Sequence, residues 1–494
     1  MERLRAQLGA GLLIPALALF AAGVVLRSPK WQYTFALLVF AGFCCLVLSV
    51  RMWPVAVALV VASAALIDQY LAGSVAVSEV YEVTFSEVLL IVLLVRVIWH
   101  LCAHRVKLGA APALLGLWAL YLVLLLPAVC TTQPLSVGLR AYSVVGSSAA
   151  LAFFCALVAF QRVGGLRLFV VALAVWAGFA VVFSLAGFFL NLSLIPSPRF
   201  EQFHGEVVRL ELRKLGLILA RQKSFYVWPS FWGAFLAGML PLLVATTVTG
   251  RRLARIGFGF VAILVSVALA LNLDRGAVLG LGMALVPLGL VARRYKLTTA
   301  YGLACIALVS LAALAAFPAT RGLLGPGHVW DLLEYYFRSD RVYIFADTLR
   351  MLPGLPLFGV GFGTETYWQL YETYGSPQAL STYVQPHNSY LEYLVYAGLP
   401  ATLAFVAILL RVSLKAVASL RSVSREDQWY IVGLLAGLLA LAVEAFFDRT
   451  LFFWPVACLW WILLGALEGV RTRAVADSLN SVQPEPVVSR LKAS

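Results

Sequence analysis

The feature that most constrains this chain is a series of apolar stretches, each about 18 to 25 residues long, separated by short breaks that carry charges, glycine or proline. A helix of that length matches the roughly 30 Å hydrocarbon core of a bilayer, at about 1.5 Å per residue. Only 12% of the 494 residues are charged, whereas a soluble protein carries about 25%. Because lipid offers no partners for backbone amides, we expect an all-α polytopic membrane protein.

About fourteen transmembrane helices (12–14) are predicted, and basic residues indicate their orientation. Basic residues in short loops favour the cytoplasm, and most of the 37 Lys and Arg residues fall on the side of the N-terminus. The short loops of the other side hold only Arg27, Lys30, Arg140, Arg275 and Arg449. We therefore expect both termini to be cytoplasmic. The predicted spans are residues 8–26, 32–50, 53–72, 84–102, 110–129, 143–161, 168–194, 229–249, 256–273, 276–292, 297–317, 389–410, 428–447 and 450–469.

Two longer segments, residues 195–228 and 318–388, lie on the predicted outer side and offer room for a site outside the bilayer. In the second, residues 328–351 carry aromatic and apolar side chains at helical spacing, which predicts an amphipathic helix on the membrane. The glycines and prolines that follow predict an irregular loop. We divide the chain into N-terminal transmembrane helices at 1–194, a second transmembrane region with both outer segments at 195–469, and a disordered cytoplasmic tail at 470–494.

Arg275 is the most informative basic residue, because the turn in LNLDRGAVLG has only Asp274, Arg275 and a glycine as polar or flexible elements. A charge so near hydrocarbon is costly unless it meets a counter-ion or a water-filled cavity. Arg221 and Lys223 precede the span that Pro229 opens, a position that suits an anion. Arginine also suits a diphosphate, through two parallel hydrogen bonds. The alternative is interfacial: Arg275 snorkels or pairs with Asp274, and the other two form a membrane-anchoring belt.

His387 stands directly before an apolar span, in the stretch STYVQPHNSYLEYLVYAGLPA. Pro386 fixes the approach, and Asn388 and Ser389 are placed to cap the helix that follows. Histidine accepts a proton near neutral pH or hydrogen bonds to a sugar hydroxyl. A single histidine at a helix start is also common as a structural residue, so both interpretations stay open.

Other polar residues of the apolar regions receive no functional role. His100 and His104 have the i, i+4 spacing that can hold a metal, but the basic residues beside them are typical of a cytoplasmic loop end, so we expect no metal. Asp68, Glu444 and Asp448 are each either a buried functional acid or an interfacial cap. The chain has no DxD pair, P-loop or GxSxG motif. Direct use of a nucleotide sugar or ATP is therefore not expected, and neither a cofactor nor a nucleic-acid partner is predicted.

The stretch PHNSYLEYLVYAGLP resembles the signature of the O-antigen ligase and O-antigen polymerase (Wzy-type) superfamily: His-Asn/Ser, then Leu-Glu, then a Gly-Leu-Pro turn. DRVYIFADTLRMLPGLPLFGVGFGT is similar to the outer loop of that family. Arg275 matches the arginine after an apolar span, and Arg221 matches the one before an aromatic-Pro helix start. The family has Ser where this chain has Asp274, and His-Pro-Asn where it has Trp-Pro-Ser. The resemblance covers about Arg213 to Leu410.

The resemblance implies a metal-independent glycosyl transfer at the outer face of a bacterial cytoplasmic (inner) membrane. The implied donor is an undecaprenyl diphosphate-linked glycan, and the acceptor is a hydroxyl of a glycan or of lipid A-core. Arg221 and Arg275 would stabilise the diphosphate as charge builds on it, and His387 would orient or deprotonate the acceptor hydroxyl. Membrane lipids, a flippase and a chain-length regulator are further implied partners. The residues expected to bind substrate are Lys223, Arg338, Arg341, Tyr383 and Asn388.

A flippase for lipid-linked glycans is the alternative from another class, because many spans and outer cations also suit the translocation of an anionic lipid. Secondary transporters tend to carry ionisable residues near the bilayer midplane, whereas these candidates gather on one face, so the transferase is favoured. Polymerases, ligases and protein O-oligosaccharyltransferases share the signature. A count of about fourteen spans favours a polymerase.

Overall fold

The apolar stretches form helices in a computed structural model of the chain. The structure describes residues 31–68, 74–78, 81–104, 112–161, 164–190, 207–212, 217–222, 229–249, 252–272, 274–294, 340–374 and 385–482. Two predicted spans, 8–26 and 297–317, lie outside these ranges.

The helices follow the order of the apolar stretches, and two short hairpins interrupt them. The first half contains α1 (Trp31–Val47), α2 (Trp53–Leu66), β1 (Ser74–Ser78), β2 (Tyr81–Thr84), α3 (Phe85–His104), α4 (Pro112–Thr131), α5 (Leu135–Tyr142), a π-helical turn (Ser143–Ser147), α6 (Ser148–Phe160) and α7 (Gly165–Leu190). The second half contains β3 (Val207–Leu212), β4 (Leu217–Gln222), α8 (Pro229–Thr249), α9 (Arg252–Asn272), α10 (Arg275–Arg294), α11 (Asp340–Met351), α12 (Thr364–Tyr374), α13 (Ser389–Ser419), α14 (Arg425–Glu444) and α15 (Trp454–Val482). Each hairpin is antiparallel, β1 with β2 and β3 with β4.

Eight helices among the described residues are long and apolar enough to cross a membrane, which confirms a helical membrane protein. The two predicted spans at 32–50 and 53–72 are instead long and apolar enough to cross a membrane only when they are taken together, as two helices bent by 118°. That pair is a ninth candidate. The expected total of about fourteen spans stays a prediction.

Close packing between helices rests on small residues. Gly433 and Gly437 of α14 face α8, and a Cβ at Gly437 would overlap the carbonyl oxygen of Gly238. Gly465 and Gly469 of α15 face α6 in the same way. Both pairs have GxxxG spacing, which lets helix backbones approach closely in lipid, where hydrophobic burial gives no driving force for association. These contacts join α14 and α15 to the rest of the core.

The predicted outer segment, residues 318–388, is partly helical among its described residues, as the sequence predicts. In the predicted amphipathic stretch, residues 340–351 form α11, and residues 328–339 lie outside the described residues. A 3₁₀ turn at Leu352–Gly354 and an irregular stretch follow before α12. The Tyr371 hydroxyl donates to Asp347 Oδ2 at 2.6 Å, which ties α12 back to α11. At the other end of the chain, α15 runs on to Val482, into the segment that the sequence predicts as a disordered tail.

Candidate functional site

His387 lies at a sharp corner in front of α13. Its φ is 46°, in the left-handed region that non-glycine residues seldom adopt. The next residue, Asn388, is the N-cap that the sequence predicts: its Oδ1 accepts from the backbone N–H of Tyr390 at 2.9 Å and of Leu391 at 3.0 Å. The corner therefore sets the chain direction, and the cap satisfies the first donors of the helix.

The start of α13 is anchored to the turn between α14 and α15. The backbone N–H of Ser389 donates to the carbonyl oxygen of Ala445 at 2.8 Å, and its hydroxyl donates to that of Asp448 at 3.0 Å. The backbone N–H of Leu451 in turn donates to the Ser389 hydroxyl at 3.2 Å. Ser389 is fully buried, so this turn holds the chain two residues after His387.

The anchoring places a carboxylate beside the histidine. His387 Nδ1 lies 3.6 Å from Asp448 Oδ1, and the two side chains are 26% and 8% exposed. Asp448 Oδ1 also accepts from the backbone N–H of Arg449 at 2.8 Å, which fixes the orientation of the carboxylate. At 3.6 Å the contact is longer than a hydrogen bond, and Nδ1 has no hydrogen-bond partner among the described residues. The pair nevertheless has the composition of a general base with its orienting acid.

Arg449 stands next to this pair and is held by a buried acid. Its guanidinium donates to Gln385 Oε1, and its Nη2 lies 3.4 Å from Glu392 Oε2. Glu392 is 0% exposed. Burial opposes the positive charge, but Glu392, Tyr396 and Asp448 outweigh it and raise the pKa of Arg449. The guanidinium is therefore a permanent cation at the corner.

Arg275 is the first residue of α10, and its backbone lies beside the same turn. A Cβ on the neighbouring Gly276 would be 3.1 Å from Phe447 Cβ and 3.4 Å from Glu444 Cγ. Asp274 Oδ1 accepts from the backbone N–H of Ala277 at 2.9 Å and so caps α10. The fold therefore brings the position of Arg275 to the turn that anchors the His387 corner.

The glycine-rich stretch of the outer segment pairs with a break in α13. Gly398 has φ of 77°, which interrupts the helix at the Gly-Leu-Pro turn. Around this break, the backbone N–H of Val360 donates to the carbonyl oxygen of Val395 at 2.9 Å, and that of Leu399 donates to Leu357 at 3.1 Å. The two stretches that carry the sequence resemblance are thus in direct contact.

For the other predicted site residues, the structure gives only a backbone position or no position at all. Arg221 lies in β4 opposite Val208, and β4 contacts α7, α8 and α9. Arg341 lies in the first turn of α11. Lys223, Arg338 and Tyr383 lie outside the described residues. The structure thus brings together the positions of His387, Asn388 and Arg275, and the roles of Arg221, Arg341 and the other three stay predictions.

Sequence reasoning assigns no functional role to three residues of the site. Asp448 is a polar residue of an apolar region, Arg449 is one of the basic residues of the predicted outer side, and Glu392 is part of the Leu-Glu pair in the signature. The sequence feature that could have indicated Asp448 and Arg449 is that they are adjacent, directly after EAFF, in a turn between two apolar spans. Adjacent charges in so short a turn are costly near hydrocarbon unless they have partners.

The described residues contain no group of three or more His, Cys, Asp or Glu side chains that could hold a metal. His100, one of the two histidines at metal-like spacing, packs edge-on against Trp53 with ring centroids 5.3 Å apart. The expectation of metal-independent chemistry stays a prediction.

One comparison with known proteins, the match to a family model, agrees with the sequence resemblance. No curated protein matches the chain. Residues 260–406 match the family model described as O-antigen ligase. The matched range contains Arg275, Arg341, Glu392 and the His387 corner, and it ends before the α14–α15 turn. The match supports the resemblance: over residues 260–406, less than half of the chain, this protein is similar to the O-antigen ligase family.

Proposed function

We propose that this protein is a membrane glycosyltransferase that moves an undecaprenyl diphosphate-linked oligosaccharide onto an acceptor glycan hydroxyl at the outer face of a bacterial cytoplasmic membrane. The acceptor oxygen forms a bond to the anomeric carbon, and the bond from that carbon to the diphosphate oxygen breaks. The leaving group is undecaprenyl diphosphate, and the hydroxyl proton passes to a base. The reaction is complete without an oxidant, a reductant or a nucleotide.

His387 is the proposed base. Its Nδ1 faces Asp448 at 3.6 Å, which leaves Nε2 to take the proton of the acceptor hydroxyl. The distance is longer than a hydrogen bond, and such contacts often tighten only when substrate is bound. Asp448 orients the ring and stabilises the imidazolium that forms.

Arg275 and Arg221 are the proposed partners of the diphosphate. Charge develops on the leaving group in the transition state, and a fixed cation there is worth several kcal/mol. Support for Arg275 comes from its position at the start of α10, beside the turn that carries Asp448. Support for Arg221 comes from the sequence resemblance and from the contacts of β4 with α8 and α9. Arg338, Arg341, Lys223 and Tyr383 are proposed to position the sugars and the lipid head group, whereas Asn388 is buried and its Oδ1 caps α13.

One observation carries the proposal. The region that matches the O-antigen ligase family contains His387 and Arg275, and tertiary contacts bring both positions to the single turn at Ala445–Leu451. Convergence of a base and a cation at one end of separate helices suits the transfer of a glycan from a lipid diphosphate.

The test uses purified protein in lipid with an undecaprenyl diphosphate-linked oligosaccharide as donor. His387→Ala should abolish transfer, because it removes the imidazole that is the proposed base. His100→Ala is the matched control, since that histidine packs against Trp53 and has no role in the proposed mechanism, and it should retain transfer. Full activity of His387→Ala would remove His387 from the mechanism.

Within this function we favour polymerisation of an O-antigen or exopolysaccharide over ligation, because the chain carries an extended N-terminal half of apolar helices. A deletion strain distinguishes the two. Loss of long glycan chains identifies a polymerase, whereas long chains that are made but left unattached identify a ligase.

A further inference from the structure

The backbone conformation of His387 requires a physical cause. A non-glycine residue with φ of 46° is strained, and strained residues persist only where the surroundings over-determine them. After the histidine, the constraint is visible: Asn388 caps α13, and Ser389 bonds to the α14–α15 turn. Before the histidine, the chain arrives through Gln385 and Pro386, so a further contact must hold this preceding segment in place.

Arg449 supplies that second constraint. Its Nη1 donates to Gln385 Oε1, two residues before the histidine. Its backbone N–H donates to Asp448 Oδ1 at 2.8 Å, and the same oxygen faces His387 Nδ1. Arg449 therefore contacts the segment before His387 through its side chain, and it contacts the acid that faces the imidazole through its backbone.

Glu392 is the partner that keeps Arg449 in place. It lies one turn into α13 and is 0% exposed. Neither of its carboxylate oxygens accepts a hydrogen bond within the part of the chain that the structure describes. Its ion pair is with Arg449, at 3.4 Å from Oε2 to Nη2. A buried carboxylate with so few partners is costly for stability, so its presence points to a task other than folding.

We propose that Arg449, held by the buried Glu392, is a positioning residue that locks the His387 corner and aims the imidazole. The catalytic use of the imidazole rests on the proposed function, whereas the proposal that Arg449 holds the His387 corner does not depend on it. The competing role is direct contact between Arg449 and the diphosphate of the donor. The side chain of Arg449 is 27% exposed, so the two roles must be separated by measurement.

The first measurement is hydrogen exchange of the amides in residues 385–391, in full-length protein reconstituted in lipid. Arg449→Gln and Glu392→Gln should each speed exchange by about tenfold, because the corner opens locally when its lock is lost. Arg449→Lys keeps the charge beside Glu392 without the planar fork and should lie between wild type and Arg449→Gln. Arg350→Gln is the matched control. It removes an outer-segment arginine that is 72% exposed and paired with Asp347, and it should leave exchange and transfer unchanged.

The second measurement is the rate of glycan transfer. Arg449→Gln should lower kcat by about 10- to 100-fold, the cost of a misaimed catalytic group. The KM for the lipid-linked donor should stay within about twofold, because ground-state binding is not involved. Arg449→Lys should recover part of kcat.

Three results would overturn the inference: wild-type exchange in Arg449→Gln, a raised donor KM with unchanged kcat, or no recovery by lysine. If Arg449→Gln fails to accumulate, the double variant Glu392→Gln/Arg449→Gln removes the buried charge as well and supplies both measurements. Failure of the wild-type protein to transfer glycan would instead refute the proposed function, and the exchange data would still decide whether Arg449 locks the corner.

Discussion

Asn388 and Ser389 show how two small side chains hold a functional residue. Asn388 Oδ1 accepts from two backbone N–H groups of α13, and Ser389 binds the turn after α14 through its backbone and its hydroxyl. Both side chains are buried, so their polar atoms must be paired within the protein. His387, between Pro386 and this anchored pair, has little conformational freedom left.

Asp448→Asn tests the pairing between His387 and its acid. An amide at this position no longer offers a negative charge to Nδ1, so we expect kcat for glycan transfer to fall by about 10- to 100-fold. The measurement is initial transfer rate at saturating donor. Asp427→Asn is the control, because that acid lies in the first turn of α14, accepts from the hydroxyl of the N-cap Ser424 at 2.8 Å and pairs with Arg473. Equal loss in both variants would indicate a general effect on stability rather than a role for Asp448.

At the scale of elements, the break in α13 decides how the outer segment joins the bundle. The helix runs from Ser389 to Ser419, but Gly398 leaves the helical conformation with φ of 77°. The freed backbone groups of this region bond to Leu357 and Val360, and Thr132 Oγ1 accepts from the backbone N–H of Phe362 at 2.7 Å. Irregular backbone at a membrane edge is stable when its polar groups are paired in this way.

Gly398→Ala should destabilise the protein by about 1–3 kcal/mol, the usual cost of a strained backbone residue. The left-handed backbone disfavours any side chain, and a Cβ would also meet the backbone of Phe358 and Gly359. Thermal unfolding of the detergent-solubilised protein measures the loss. Gly116→Ala is the control, because no atom lies within 4 Å of its Cβ position, and alanine favours a helix. A melting temperature of Gly398→Ala equal to wild type would contradict the assigned break.

At the scale of the whole molecule, the bundle is joined by helices that are distant in sequence. The last helix, α15, packs against α6, and α14 packs against α8 and α10. The α14–α15 turn lies where these helices meet, which is why it contacts both the start of α13 and the start of α10. The site is therefore a property of the assembled bundle.

The distribution of basic residues predicts that α11 lies outside and the α13–α14 loop inside. Arg350→Cys should react with a membrane-impermeant maleimide in intact spheroplasts, and Arg421→Cys only after permeabilisation. Unsubstituted protein controls for labelling of the native cysteines, of which Cys102 and Cys130 are exposed. The opposite labelling order would place the His387 corner on the cytoplasmic side and exclude the proposed donor.

The sequence by itself determined the apolar helices, the Asn388 cap and the irregular glycine-rich stretch, because each depends on residues close together in the chain. It also carried the resemblance that the family match supports. Only the tertiary structure decided that Asp448 faces His387, that Arg449 pairs with Glu392, and that Arg275 begins α10 beside them. Those contacts join segments far apart along the chain, and they depend on which helices pack together, which hydrophobic pattern alone does not specify.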